Sequence, residues 1–387
     1  MPRWLYYFLA LAVVAPLIAL IGGSQQVTAI FIFSTLSLIP LAALVGSTTE
    51  DLAYYVGPIT GGLLNATFGN APEIIIGIFA LRQGLIPVVK ASITGSIISN
   101  ALLVLGGSIA VGGWRWGRQY FNNRDAGQYA AMMVLSVAGL LLPFLANGQL
   151  RNDGSVQLIS IGIAVILLVI YAMYLALNIF HVRSVRRNPR KLRGQVISRT
   201  PVKQEENGKN DRDGDEVEPV SGGVDPQEID GKRPPVLWLT LLLLLLATIG
   251  TAWNSELLVD TIVPVAKQLG WSTVFIGLVI IPIVGNAAEH SSALLVAYKD
   301  RIDLSMAIAA GSSIQVATFV APVLVFVSLF YPHHLDLVFQ PLQLVLLALA
   351  AILFRFISMD GETSWLGGLQ LLAVYIMACV VFFLLPG

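Results

Sequence analysis

The sequence GNAPE at residues 69–73 recurs as GNAAE at residues 285–289, and both copies lie inside long apolar runs. In each copy a second polar cluster begins 26 residues after the first glycine, GSIIS at residues 95–99 and GSSIQ at residues 311–315. The chain therefore contains two copies of one unit, and each copy holds a glutamate where lipid or protein should exclude water. A carboxylate inside a membrane span is costly and usually marks a functional site. Two of them at equivalent positions predict one central site for a divalent cation.

The composition is that of a membrane protein. Hydrophobic residues make up 56% of the chain and charged residues only 12%, against about 25% charged in a typical soluble domain. The charges are also clustered, since 22 of them, from a total of 23 basic and 23 acidic, lie within residues 183–233. Most of the chain must therefore face lipid. A net charge of zero gives no reason to expect a nucleic-acid partner, and the single cysteine, Cys379, excludes a disulfide within the chain.

Eleven apolar segments, each long enough to cross a bilayer as a helix, predict an all-α multi-pass membrane protein. They are residues 4–22, 27–48, 60–81, 86–111, 128–146, 156–180, 235–259, 272–296, 304–330, 338–357 and 364–385. With a cytoplasmic N-terminus, 19 Lys and Arg residues fall on the cytoplasmic side and four on the other side. The positive-inside rule therefore predicts a cytoplasmic N-terminus and a C-terminus on the opposite side.

The two motif copies divide the chain into four parts. Residues 1–26 form an extra N-terminal transmembrane helix, residues 27–182 a first five-helix repeat, residues 183–233 a charged cytoplasmic linker, and residues 234–387 a second five-helix repeat. Because five is odd, the second repeat enters the membrane from the opposite side and the repeats are inverted. Inverted repeats with a site near the membrane midplane between them are typical of secondary transporters.

The linker changes sign along its length. Arg183, Lys203 and the six basic residues between them are followed by a stretch with ten acidic and two basic residues, 204–231. We expect the basic part to contact anionic lipid headgroups and most of the linker to be disordered. Because the acidic part lacks the residue spacing of an EF-hand loop, a solvated tether is favoured over a regulatory cation sensor.

Glu73 and Glu289 together can neutralise one divalent cation. Calcium takes about 6–8 oxygen ligands at roughly 2.3–2.6 Å, so the two carboxylates need further oxygens. Backbone at Gly69 and Gly285, about one helical turn before each glutamate, can supply some of them if the helix unwinds there. The remaining candidates are polar side chains on the same helical faces and in the partner helices: Asn70, Asn286, Ser96, Ser99, Ser312 and Gln315.

The same two glutamates also provide a site for protons. Burial and a second nearby carboxylate both favour the protonated form of a carboxyl group, whereas a bound divalent cation favours the ionised form. Protons and a divalent cation should therefore compete, which is a sufficient physical basis for exchange. The chain has no GxxxxGK[ST] loop for ATP, so no nucleotide or other cofactor is expected.

Three further residues could assist the site. His290 follows Glu289 directly and is predicted either to hydrogen-bond the cation ligands and influence selectivity, or to pack as a buried imidazole. Glu50 and Glu256 lie near the ends of the helices that precede the motif helices, at unequal distances from the two motifs. They could guide cations toward the site or simply be exposed at the interface, and the sequence favours neither reading.

These motifs resemble the calcium/proton exchanger branch of the calcium/cation antiporter superfamily. Residues 65–73 and 282–290 resemble the two signature repeats of the family, and residues 311–315 resemble the signature of its partner helix. The resemblance extends over about residues 27–385. It implies eleven helices with an acidic linker between the sixth and the seventh.

The resemblance also implies roles for individual residues. Glu73 and Glu289 would bind calcium and protons in alternation. Gly69, Gly285, Ser96, Ser99, Ser312 and Gln315 would supply further oxygens. The expected function is thus an antiporter that exchanges cytosolic calcium for protons by alternating access, with calcium, protons and the lipid bilayer as its partners.

Several alternatives stay open at this point. A sodium-coupled exchanger has the same architecture, although Gln315 and the His290 beside Glu289 favour the proton branch, and manganese suits a carboxylate site as well. A cation channel would conduct without proton counterflow, and a membrane enzyme would need a nucleophile and base that the motifs lack. The expected location is the plasma membrane of a bacterium, with a vacuolar or other organelle membrane as the alternative. The sequence does not indicate an oligomeric state.

Overall fold

The computed structural model describes residues 8–22, 26–148, 153–187 and 236–385, and nearly all of them are helical. The helices are α1 (Leu11–Gly22), α2 (Val27–Gly57), α3 (Thr60–Phe68), α4 (Ala71–Arg82), α5 (Ile86–Trp116), α6 (Asn123–Asn147), α7 (Asp153–Arg187), α8 (Leu237–Leu269), α9 (Thr273–Gly285), α10 (Ala287–Tyr298), α11 (Ile302–Ser328), α12 (Pro341–Ile357) and α13 (Trp365–Leu384). Two short strands, β1 (Gln119–Tyr120) and β2 (Glu362–Thr363), pair antiparallel and tie the loop after α5 to the loop before α13.

Each predicted apolar segment coincides with a helix or with a bent pair of helices. Within the described ranges, seven helices are long and apolar enough to cross a membrane, or nine if each bent pair forms one span. The remaining apolar helices, α1 and α12, are shorter. Several helices extend past their predicted ends, for example α2 to Gly57 and α7 to Arg187, because a helix continues through the polar residues that flank its apolar part. Residues 188–233 of the predicted linker and residues 4–7 of the first predicted segment lie outside the described residues.

The helices bend at residues whose backbone leaves the helical conformation. Gly57 has φ 80° and ψ 170°, a conformation that essentially only glycine adopts, and it separates α2 from α3. The axes of α3 and α4 differ by 42° and those of α9 and α10 by 60°. Both of these breaks fall within the GNAPE and GNAAE motifs.

Two helices form the centre of the molecule. In the most apolar window of α5, 89% of the residues are buried, and in that of α11, 67% are buried. In α6, α7, α8 and α13 the corresponding values are between 22% and 33%, so these helices present most of their surface outward, as helices in contact with lipid do. Both central helices contain a π-helical segment directly after the polar cluster, at Ser99–Val104 and Val316–Val320. Such segments are rare in proteins overall, and those that occur are often found at functional sites.

Helix α5 packs closely against α9. A Cβ atom on Gly95 would overlap the carbonyl oxygen of Leu278 and lie 2.7 Å from its carbonyl carbon, and a Cβ on Gly277 would lie 2.9 Å from the Cβ of Ala91. Small residues allow helix backbones in membranes to approach in this way. Gly311 occupies the equivalent position in α11, and a Cβ there would meet nothing within 4 Å. The two central helices are therefore packed differently at equivalent positions.

Candidate functional site

The two helix breaks place a glutamate in the first turn of a new helix. Asn70 (φ −98°, ψ 13°) precedes α4, and Asn286 (φ −96°, ψ 13°) precedes α10, with almost the same backbone conformation. Glu73 and Glu289 therefore lie at helix N-termini, where the helix dipole stabilises negative charge. The motif sequence thus determines both where each helix is interrupted and which side chain follows the interruption.

The carboxyl group of Glu73 lies against the other motif. Only 5% of Glu73 is exposed, and its Oε1 is 3.0 Å from the position that a Cβ on Gly285 would occupy. Gly285 belongs to the same motif as Glu289. Within the described part of the chain, Oε2 of Glu73 and Oε2 of Glu289 are both buried without a hydrogen-bond partner. Such atoms are costly in a protein interior, so both oxygens remain available to a bound ion or proton.

Asn70 joins the first motif to the second partner helix. Its Nδ2 donates to Oε1 of Gln315 in α11 at 2.7 Å and to the Ala66 carbonyl at 2.9 Å. Its Oδ1 is buried and accepts no hydrogen bond from the described residues. The two hydrogen bonds from Nδ2 thus hold the Asn70 amide in place, and Oδ1 is left for a ligand.

Asn286 makes the reciprocal connection to the first partner helix. Its Nδ2 donates to Oγ of Ser96 in α5 at 3.2 Å and to the Pro282 carbonyl at 3.1 Å. Its Oδ1 accepts from Oγ of Ser312 at 3.5 Å, and the Ser312 side chain lies near the Glu289 carboxyl group. Predicted residues from four helices, α4, α5, α10 and α11, therefore meet in one buried polar cluster.

Asn100 belongs to this cluster, although the sequence analysis did not include it in the site. Its Nδ2 donates to Oγ of Ser312 at 2.8 Å, and its Oδ1 lies 3.2 Å from Nε2 of His290. A signal was present in the sequence, since Asn100 follows Ser96 by four residues and so shares its helical face. His290 is consequently positioned by Asn100.

Other predicted residues lie apart from this cluster or are turned away from it. The hydroxyl of Ser99 bonds the Ser96 carbonyl of its own helix at 3.1 Å. A Cβ on Gly69 would meet only backbone atoms of Asn65 within 4 Å, so Gly69 lacks the contact with a carboxylate that Gly285 makes. Glu256 pairs with Arg82 at 3.1 Å on the surface.

Glu50 is exposed near the end of α2. For Glu50 and Glu256 alike, a part in guiding cations toward the site stays a prediction.

The donor set is suited to a hard cation. Carboxylate, amide and hydroxyl oxygens surround the breaks, and hard divalent cations prefer such ligands. Within the described residues, no group of three or more His, Cys, Asp or Glu side chains is gathered to hold a metal ion.

Broken helices that meet at buried carboxylates inside a set of apolar helices define a class, the multi-pass membrane proteins with the architecture of secondary transporters. The chain belongs to the sodium/calcium exchanger protein family, which it matches over residues 26–180 and 239–384. The resemblance that the motifs indicate is therefore confirmed.

Similar proteins cover nearly the whole chain. The Ca(2+)/H(+) antiporter of Synechocystis sp. is 39% identical over 363 residues, which are 93% of this chain and 92% of that protein. The Ca(2+)/H(+) antiporter ChaA of Bacillus subtilis is 38% identical over 382 residues, 98% of this chain and 99% of the relative. The solved structure of native YfkE has a TM-score of 0.76 at 34% identity and covers 98% of each chain.

Proposed function

We propose that this protein is a secondary antiporter that exchanges cytosolic calcium for protons by alternating access. The relatives that it matches almost from end to end are calcium/proton antiporters by name. The observation that carries the proposal for this chain is the set of buried oxygens without partners at the two breaks, Oε2 of Glu73, Oε2 of Glu289 and Oδ1 of Asn70.

Charge neutrality couples the two ions. Two ionised carboxylates in a dry site carry a large desolvation cost unless that charge is compensated. One calcium ion can compensate it, and protons on the two carboxyl groups can do so as well. The loaded site can therefore change its access from one side to the other, whereas the empty, ionised site is held back. Exchange follows because each ion must be displaced by the other.

The alternating-access part of the proposal rests on two inverted five-helix repeats, residues 27–182 and 234–387. The helix breaks at Asn70 and Asn286 and the π-helical segments of α5 and α11 recur at matching positions, which supports the repeat. The tight contact between α5 and α9 at Gly95 and the open space at Gly311 of α11 support one state of the transport cycle, in which α5 is closely packed at this position and α11 is not. In the opposite state the two repeats would exchange these arrangements.

The membrane arrangement is part of the proposal. Eleven spans with a cytoplasmic N-terminus put most Lys and Arg residues on the cytoplasmic side, including the basic segment at Arg183 and Lys203, which would contact anionic headgroups. Relatives from bacteria support a bacterial plasma membrane. We infer transport without enzymatic chemistry, because the described polar cluster contains carboxylates, amides and hydroxyls without a nucleophile–base arrangement.

The test is calcium-driven proton movement in sealed liposomes that contain the purified protein and no sodium. We expect proton efflux in proportion to calcium entry, and its loss in Glu73→Gln and in Glu289→Gln, which keep the side-chain shape and remove the charge. The matched control is Glu362→Gln, because Glu362 forms an exposed ion pair with Arg118 and should leave exchange unchanged.

Other outcomes would separate the alternatives. Calcium entry that requires internal sodium would indicate a sodium-coupled exchanger, and manganese in place of calcium would indicate another divalent cargo. Calcium entry without a counter-ion would indicate a channel. Normal exchange in either glutamine variant would refute the assignment of that glutamate.

A further inference from the structure

A small pocket lies beside the Glu73 carboxyl group and continues along α4 to Gly77 and along α5 to Val89. It lies between α4, α5 and α11, and its polar lining consists of Glu73, Ser92 and Ser96. The rest of the lining is aliphatic or glycine, and includes Gly77 and Leu324. A Cβ on Gly77 would lie 2.7 Å from Cδ1 of Leu324, so this glycine is needed to keep the narrow space beside Glu73.

Ser92 contributes a hydroxyl group to the lining of this pocket. It lies four residues before Ser96 and so on the same face of α5, and only 8% of it is exposed. Thr94 in the same helix satisfies its hydroxyl by bonding the carbonyls of Lys90 and Ala91 at 3.0 and 3.1 Å. Throughout the described residues, no hydrogen bond is formed by the Ser92 hydroxyl. The Ser92 hydroxyl lines the same pocket as the Glu73 carboxyl group, so it is in place for a partner that enters the pocket.

The fold does not require a serine at this position. The equivalent residue of the second repeat, 216 positions later, is Ile308. An aliphatic side chain is therefore compatible with this place in a central helix, and the hydroxyl is a property of one repeat only. It lines the pocket beside the Glu73 carboxyl group, and Ile308 gives the second repeat no such group.

We propose that Ser92 is a transient ligand for the transported cation on the route between Glu73 and the membrane face at the α4–α5 loop. This inference rests on the proposed function. The Ser92 hydroxyl is the first oxygen beyond Ser96 on that route, among side chains that offer no other ligand. It contacts the ion, directly or through one water, while the ion exchanges its hydration shell for the carboxylates.

The test compares calcium exchange in right-side-out and everted membrane vesicles for the wild type and Ser92→Ala. A neutral hydrogen bond or ligand is worth about 0.5–1.5 kcal/mol, so we expect the KM for calcium to rise about two- to tenfold when calcium is presented on the α4–α5 face. The KM on the opposite face and the maximal rate should not change. Ser92→Thr, which retains a hydroxyl, should restore the wild-type KM.

Thr94→Val is the matched control, because it removes a hydroxyl of the same helix that is already satisfied, and its KM should equal that of the wild type on both faces. An unchanged KM in Ser92→Ala, or an equal rise on both faces, would overturn the inference while leaving the exchanger proposal intact. A wild-type protein that exchanges no calcium for protons would instead overturn the proposed function, and the role of Ser92 with it.

Discussion

Gly95→Ala and Gly311→Ala form a matched pair, because the two glycines occupy equivalent positions of the two central helices. At Gly95 the added methyl group would overlap the Leu278 carbonyl oxygen and lie 2.7 Å from the carbonyl carbon. Ordinary contacts between carbon atoms are about 3.5–4.0 Å, so α5 and α9 would have to separate by about 1 Å. At Gly311 the same methyl group meets nothing within 4 Å.

The expected magnitudes follow from these contacts. Both variants gain up to about 1 kcal/mol from helix propensity, and this gain cancels when the two are compared. Overpacking at Gly95 costs about 1–3 kcal/mol. Gly95→Ala should therefore be less stable than Gly311→Ala by about 1–3 kcal/mol in the observed state, and Gly311→Ala should match or slightly exceed the wild type.

Exchange should respond differently from stability. If the repeats swap their arrangements, the methyl group at position 311 is harmless in the observed state and overpacks the opposite state by a similar amount. Because each 1.4 kcal/mol is a factor of ten in an equilibrium, Gly311→Ala should then slow exchange by roughly tenfold without a loss of thermal stability.

Thermal unfolding in detergent and calcium-driven proton efflux in liposomes measure the two effects. If Gly311→Ala unfolds as early as Gly95→Ala, the contacts described for α5 and α9 are wrong. If Gly311→Ala is stable and transports at the wild-type rate, the exchange of roles between the two repeats is wrong.

Three further substitutions test other parts of the structure. Gly285→Ala should weaken calcium binding about tenfold, since a Cβ there would lie 3.0 Å from the Glu73 carboxylate and overpacking costs about 1–3 kcal/mol. The control is Gly127→Ala, whose Cβ meets nothing within 4 Å. Equal calcium titrations of the two variants would contradict the expectation. Lys90→Met should lower the free energy of unfolding by about 1–3 kcal/mol, because it breaks a half-buried ion pair of 2.6 Å and a hydrogen bond to a backbone carbonyl. Arg118→Met, which breaks an exposed ion pair, should lower it by only about 0–1 kcal/mol. Equal shifts in thermal unfolding would refute the distinction. Asn100→Ala should slow exchange about tenfold, because it removes the amide that donates to Ser312 and faces His290 and the loss of such a buried partner costs about 1–3 kcal/mol. A wild-type rate of proton efflux would remove Asn100 from the site.

The sequence was sufficient to predict apolar helices and the residue types of the polar cluster, because both depend on local information. A run of about 20 apolar residues has few alternatives to a helix in a membrane. A glutamate within such a run is costly enough that its recurrence at Glu73 and Glu289 indicates selection for a site. The residues that flank each glutamate in the motif, Asn70 and Asn286, could be assigned with them because they share its helical face.

The contacts between helices could not be predicted in this way. Gly285 looks the same in the sequence as Gly69, yet only Gly285 lies against the carboxyl group of the other motif, because that contact depends on how α9 and α4 cross. Asn100 looks in the sequence like one of the asparagines that commonly hold membrane helices together, and its two partners, Ser312 and His290, lie about 200 residues away in the chain. Such pairs follow from the relative placement of helices, on which hydrophobic periodicity carries no information.

The chemical differences between the repeats bear on the side of the membrane from which the cation binds more readily. His290 and Asn100 form a polar pair, whereas the positions 216 residues earlier and later are Ile74 and Val316. If the repeats exchange arrangements during transport, residues common to both hold the cation in both states, while a polar group present in one repeat has a different environment in each state. The common residues then set which ion is bound, and the unmatched ones set how readily it binds from each side. Ser92 and the His290–Asn100 pair are therefore the places where inward and outward affinities can differ while the shared carboxylates stay the same.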